Sequence, residues 1–419
     1  MKVLLVSTYE LGHQPLGVAH PAGALAARGH DVRALDLAVE PWDPAVAGWA
    51  DRVAFSVPMH TAARLARDLA GRIDGPVACY GLYAAMCSDV ATALDDRDAR
   101  TALVRWVEDD PGAVVAPALP ARDLLPGLNE YAGLVIDGTT RLAGATEASA
   151  GCVHRCRHCP VPVVFDGRIR ITAVDAVLAD VAQQVDQGAR HITFVDPDFL
   201  NGPHHARRVA RAFHAAFPDI TFDCTVKVEH VLAHADAWAE LADAGCLFVV
   251  SAFESVNDTI LDRLDKHHTA ADASRAVEVL RAQGIEVRPS WLPFTPWSTV
   301  DDICDIVEFV AAHDLVPNVD PVQYSIRLLL PRGSLLLGHL DPLAWDPERL
   351  SYRWTSPLDP LQHRIAELVE RGGDYAAVRE CLGLAPVPRS EAERPHLSEP
   401  WFCCAEPTGA QLALADPDR

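Results

Sequence analysis

The chain has 419 residues and carries 36 basic against 58 acidic side chains, a net charge of −22 at neutral pH. That length exceeds the roughly 100 to 200 residues of a single domain, so two or three domains are expected. The acidic balance argues against a nucleic-acid partner, because counterion release rewards cationic surfaces. No apolar run approaches the ~20 residues of a membrane span, and the opening MKVLLVSTYE has neither a basic n-region nor a long apolar h-region. A cytoplasmic location with no membrane association is expected, and the eleven cysteines then read as thiols or metal ligands rather than a disulfide framework.

Short apolar runs alternate with amphipathic segments along the chain. KVLLVST (2–8) predicts a buried strand, HPAGALAARG (20–29) a helix, and HDVRALDL (30–37) the next strand. RVAFSV (52–57), the helix 61–73, PVACYG (76–81) and GLVIDG (133–138) extend the series into a doubly wound α/β domain over residues 1–138. The loop after the first strand lacks the G-x-G-x-x-G fingerprint of dinucleotide sites. A second series follows over 146–335. It runs as helix 173–187, strand 191–196, helix 203–216, strand 220–226, helix 234–244, strand 246–253, helix 270–283, strand 285–294, helix 300–313 and strand 322–330. About six β/α units predict a partial (β/α)6 barrel with its active face at the strand C-termini. Residues 336–419 form an irregular, Pro-rich extension apart from a helix near 360–383.

AGCVHRCRHCPVP (150–162) places Cys152, Cys156 and Cys159 in C-x3-C-x2-C spacing. A structural zinc site takes four ligands, commonly as paired C-x2-4-C units, and His154 or His158 would have to supply the fourth. Three thiolates on a four-iron cubane instead leave one iron open to an outside ligand. In this spacing, and in GRIRITAVDAVLADV, FVDPDFLNGPHHARRV, SAFESVNDTILDRLDKHHT and WLPFTPWSTVDDI, the chain resembles the radical S-adenosylmethionine (SAM) superfamily, in its type with an N-terminal cobalamin-binding domain. The resemblance implies a [4Fe-4S] cluster on Cys152, Cys156 and Cys159, with SAM on the open iron. It also implies SAM contacts from Asp196, Asp198, Lys227 and Glu254, and an electron donor such as flavodoxin or ferredoxin. Lys227 stands where the family more often has arginine, and FTPWST stands where it has a Gly-x-Pro-x-Glu-Thr turn. Without the resemblance, Asp196 and Asp198 read as helix caps, and Glu254 as the partner of Arg263 or Lys266.

Residues 1–138 resemble the cobalamin-binding Rossmann-type domain, although the D-x-H-x-x-G histidine has no counterpart and His13 stands alone in ELGHQP. Cobalamin is therefore an optional cofactor here. EPWFCCAEPTGA near the end resembles the Cys-Cys-Ala-Glu-Pro tail of one radical SAM group, and Cys403 and Cys404 form a vicinal dithiol suited to a soft centre or to disulfide cycling. These features imply a radical SAM transferase acting on a small molecule or on a metalloid such as trivalent arsenic held by the two thiols, as in arsinothricin-type biosynthesis. The alternative is a cobalamin-dependent radical SAM methyltransferase of natural-product biosynthesis. A tRNA methylthiotransferase fits the acidic charge less well, and a cluster-bearing redox sensor would not need the polar strand ends.

Overall fold

The computed structural model describes residues 1–94, 97–388 and 393–399. Its first sheet is wholly parallel, in the order β2-β1-β3-β4-β5, from β1 (Lys2–Ser7), β2 (Asp31–Asp36), β3 (Arg52–Ser56), β4 (Val77–Tyr80) and β5 (Thr92–Leu94). Strand β1, between β2 and β3, is interior to the sheet, and its apolar sequence KVLLVS is buried from Val3 to Ser7. The fifth strand is Thr92–Leu94, not the expected 133–138. The latter segment turns at Asp137 (φ 51°) and Gly138 (φ 67°), so β6 (Leu134–Ile136) folds back on β7 (Thr139–Arg141) as an antiparallel hairpin. Two consecutive positive φ values are what a two-residue Asp-Gly hairpin turn demands.

The second sheet is also parallel, in the order β14-β13-β12-β11-β8, from β8 (Ala143–Thr146), β11 (His191–Phe194), β12 (Thr221–Thr225), β13 (Cys246–Glu254) and β14 (Glu286–Trp291). Between β8 and β11 lie β9 (Ser149–Gly151) and β10 (Ile169–Ile171), an antiparallel pair that brackets the cysteine motif. On β12 the side chains alternate: Phe222 and Cys224 enter the helix-packed core, while Asp223 and Thr225 face the interior cavity. Phe194, Phe199, Phe213 and Phe222 pack edge-on and tilted within that core.

Three elements of the second half differ from the sequence expectation. The segment 322–330 is not a strand: Pro321–Ser325 is a 3-10 turn, and pairing at the sixth position reduces to one parallel bridge, Phe294 with Arg327. Proline at the start of that turn lacks the N–H a ladder needs. The helix expected at 234–244 opens as a 3-10 turn at Ala235–Ala237 and is α-helical only over Trp238–Asp243, with a separate short helix, Val228–Ala233, before it, and that expected near 360–383 is divided into Asp359–Glu370 and Tyr375–Cys381, the break falling at Gly372 and Gly373. A short hairpin of β15 (Ala344–Asp346) and β16 (Ser351–Arg353) precedes them, and β17 (His396–Leu397) returns to pair with β6. Among the described residues no helix is long and apolar enough to cross a membrane.

Candidate active site

A cavity of about 890 Å³ is lined from both sheets, chiefly by residues at or beyond strand C-termini. All three motif cysteines line it. Their loop leaves β9 through Gly151, whose φ of 86° and close approach to Arg168 O and the Phe165 ring leave no room for a Cβ. Asn201 clamps the loop from the neighbouring strand end: its Nδ2 donates to Gly151 O at 3.2 Å, and its Oδ1 accepts from Val153 N at 3.0 Å. On the other side Arg157 N donates to Leu264 O at 2.9 Å. No motif cysteine is in a disulfide. Burial, then the charge of Asp198, pushes the Cys152 thiol up to about 12, so a thiolate there needs cationic compensation.

Lys266 supplies such compensation to the other two sulfurs, Cys156 and Cys159. Burial alone would lower its pKa, but Glu254, Cys156 and Cys159 together raise it, keeping an ammonium beside two of the three sulfurs. Glu254 ends β13 in the left-handed region (φ 64°), a conformation that turns its carboxylate back toward the motif. Its Oε1 lies 3.1 Å from His158 Nε2 and accepts from Lys266 Nζ at 3.2 Å. Burial would raise the Glu254 pKa, yet Lys266 and His158 outweigh it and hold the carboxyl down to about 2. Glu254 thus takes the expected lysine partner, Lys266, while Arg263 stacks on Trp297 instead. His158, expected only as a possible fourth zinc ligand, and Lys266, expected only as an ion-pair partner of Glu254, thus both line the cavity with the three cysteines.

The remaining expected residues converge on the same cavity with their polar atoms already engaged. Asp196 accepts from Ser149 Oγ at 2.6 Å and Ala148 N at 2.9 Å, anchoring the strand that enters the motif, and burial pushes its pKa up to about 7. Asp198 Oδ1 caps a 3-10 turn through Leu200 N at 2.9 Å, and its Oδ2 accepts from Lys227 N at 3.2 Å. Lys227 Nζ donates to Glu229 at 2.7 Å and lies 3.4 Å from His154 Nδ1. Cys403 and Cys404 lie outside the described residues.

On the first-sheet side, Glu10 accepts from Gly17 N at 3.2 Å, and burial pushes its carboxyl up to about 8. His13 is 5% exposed, its Nε2 lacks a hydrogen-bond partner among the described residues, and burial lowers its pKa to about 4. Three convergent thiols with an ammonium beside them, on a cavity with room for a nucleoside, match the donor set of an open-iron [4Fe-4S] cluster and its SAM ligand.

Residues 146–310 match the model of the radical SAM superfamily. The ribosomal protein uS12 methylthiotransferase RimO of Phocaeicola vulgatus is 23% identical over 185 residues, 39% of this chain and 39% of that protein. Bacteriochlorophyllide d C-8(2)-methyltransferase of Chlorobaculum tepidum is 31% identical over 99 residues, 23% of this chain and 22% of that protein. The chain therefore spans well under half the length of the curated relatives it matches. Among solved structures, the cobalamin-dependent SAM radical enzyme OxsB superposes with a TM-score of 0.64 at 14% identity, covering 88% of this chain and 66% of that one. The radical SAM methyltransferase TsrM of Kitasatospora setae superposes with a TM-score of 0.62 at 17% identity, covering 88% of each chain. The α/β architecture with its two parallel sheets is thus shared with these enzymes, and residues 146–310 of this chain, which include the C-x3-C-x2-C cysteines, match the radical SAM superfamily.

Proposed function

We propose that the protein is a radical SAM enzyme that transfers a SAM-derived group to a small substrate bound between the two sheets. The observation that supports this most is the meeting of Cys152, Cys156, Cys159, Lys266 and Glu254 on one cavity that continues to the first sheet. Cys152, Cys156 and Cys159 would hold a [4Fe-4S] cluster, which would supply the electron for reductive cleavage of SAM, with a flavodoxin or ferredoxin as the electron donor. The chain's own groups position and shield. Lys266 offsets the sulfur charge, Lys227 offers an ammonium to a carboxylate, and Glu254 offers an ionised acceptor to hydroxyl groups at neutral pH.

The soft substrate in this reading is trivalent arsenic held by Cys403 and Cys404, as the resemblance to the Cys-Cys-Ala-Glu-Pro group suggests. The position of Glu399 supports it: Glu399 lines the cavity and accepts from Tyr9 OH at 2.6 Å. Cys403 follows four residues later, so the chain can carry it at most ~14 Å from there, within reach of the cavity. The test is anaerobic incubation with SAM, reductant and arsenite, followed by mass spectrometry for an aminocarboxypropyl, methyl or adenosyl arsenical. The Cys403→Ala/Cys404→Ala protein should keep its cluster and SAM binding and lose product. Turnover equal to wild type would remove the dithiol from the reaction.

A second reading is cobalamin-dependent radical methyl transfer, favoured by the fold likeness to OxsB and TsrM, which extends over 88% of the chain. Apolar side chains of the first-sheet side, including Leu11, Met59, Leu82 and Tyr83, line the cavity as a flat macrocycle would require. This reading expects hydroxocobalamin to remain bound after desalting, with a base-off visible spectrum. Loss of all absorbance on desalting would leave the metalloid reading alone.

A further inference from the structure

We infer that His154, Asp198 and His230 form a divalent transition-metal site beside the cluster loop, separate from the cysteine site. Their donor atoms surround one point: His230 Nδ1 lies 2.9 Å from Asp198 Oδ2, His154 Nε2 lies 3.4 Å from His230 Nδ1, and His154 Nε2 lies 3.8 Å from Asp198 Oδ2. Ligands at about 2.1 Å from one metal ion stand about 3.0 Å apart in octahedral and about 3.4 Å apart in tetrahedral geometry, so the three separations bracket both. A proton shared between two of these atoms satisfies one side of the triangle, whereas a metal ion satisfies all three. Two imidazoles and one carboxylate suit Fe(II), Co(II) or Zn(II) better than Mg²⁺ or Ca²⁺.

The surroundings have the form of an outer shell. Glu229 Oε2 lies 3.6 Å from His154 Nδ1, close enough that a small side-chain shift would let it accept the N–H of a metal-bound ring, and Asp198 is oriented by Leu200 N and Lys227 N. The Lys227 ammonium stands close by, and its 2.7 Å contact with Glu229 offsets it. Asp198 and Glu229 against Lys227 leave a net negative charge. Both histidine side chains are 13% exposed, so an ion can enter from solvent and water can complete its coordination.

The three ligands come from different parts of the chain: the motif loop two residues after Cys152, the turn after β11, and the helix Val228–Ala233 after β12. A bound ion would pin the cluster loop to two neighbouring strand ends. The inference does not rest on which group is transferred, and its readout is metal content rather than turnover, so its failure leaves the transfer reading untouched.

The test uses full-length protein with its cluster reconstituted and oxidised, incubated anaerobically with Co(II) and desalted. Oxidised [4Fe-4S] is diamagnetic, so a high-spin Co(II) resonance reports the new site alone, and elemental analysis gives its stoichiometry. One Co(II) per chain is expected beyond the cluster iron. His230→Ala and His154→Gln should each weaken Co(II) retention by roughly tenfold or more at unchanged cluster iron. His234→Ala, whose ring lies 5.4 Å from that of His230, should retain it. No Co(II) on the wild-type protein, or equal Co(II) on both ligand variants, would overturn the site. The wild-type measurement decides even if a variant does not fold.

Discussion

Replacing Cys152, Cys156 and Cys159 together by alanine is expected to abolish the iron–sulfur absorbance and reduce SAM cleavage to background while the chain still folds. The chemical half of this expectation follows from the donor set. Thiolates are the cluster ligands, and alanine offers none. The structural half follows from what holds the loop. Asn201 grips its first turn at Gly151 and Val153, and Arg157 N is bonded to Leu264 O, all through backbone or side-chain amides that the substitutions leave in place. None of the three cysteines belongs to the aromatic and aliphatic core around Phe194 and Phe222. Thermal unfolding followed by far-ultraviolet circular dichroism should therefore shift little beyond what loss of the cluster causes. Iron and sulfide analysis gives the decisive readout: wild-type content in the triple variant would remove the cluster from these residues.

Much of the architecture was legible because parallel sheets write themselves as apolar runs. β1, β3 and β4 are buried on both faces, and their sequences are nearly continuous Val, Leu, Ala and Phe. Thr92–Leu94 escaped notice because a three-residue edge strand with partly exposed side chains carries no such run. Ala143–Thr146 escaped for a different reason, since Ala-Gly-Ala-Thr packs closely without bulky side chains: a Cβ on Gly144 would stand 2.3 Å from Gln184 Oε1. The segment 133–138 did contain its signal, the Asp-Gly turn, which outranks the apolar run before it. At the candidate site, the C-x3-C-x2-C spacing singles out the three cysteines, and the structure brings all three to the cavity. The Lys266 pairing with Glu254 was legible as an ion pair, whereas the contact of His158 with that carboxylate was not, because it depends on Glu254 adopting positive φ at the end of β13, a conformation no local pattern announces. The triangle of His154, Asp198 and His230 was equally invisible, being assembled from two loops and a short helix with no common spacing.

The largest effect on stability is expected at Arg122, a residue that lies in the irregular sequence PARDLLPG and fixes the two halves of the molecule together. It is 1% exposed. Its Nε and Nη2 donate to Asp180 Oδ1 and Oδ2, each at 2.9 Å, Nη2 also donates to Ala145 O at 2.6 Å, and Nη1 reaches Gln14 Oε1 at 3.1 Å. Asp180 accepts additionally from Thr146 Oγ1 at 2.8 Å. One guanidinium thus ties the loop after β1, the helix Val174–Asp186 and the first strand of the second sheet, which leads into the motif. Arg122→Met keeps the apolar volume of the stem but strands a buried carboxylate, which costs about 3–5 kcal/mol when a buried pair loses one member. The double variant Arg122→Met/Asp180→Leu removes the stranded charge and should recover a large part of that loss. Denaturant midpoints of the wild type, both single variants and the double variant complete the cycle. If the Arg122→Met protein lost less than about 1 kcal/mol, the pair would be no more than an ordinary surface-strength contact. If the double variant were no more stable than Arg122→Met, the loss would belong to the Gln14 and Ala145 contacts rather than to the unpaired charge. Because Ala145 and Thr146 immediately precede the strand that enters the motif, the single variant should also hold its cluster less tightly, read as faster loss of iron to a chelator at a temperature where the protein remains folded.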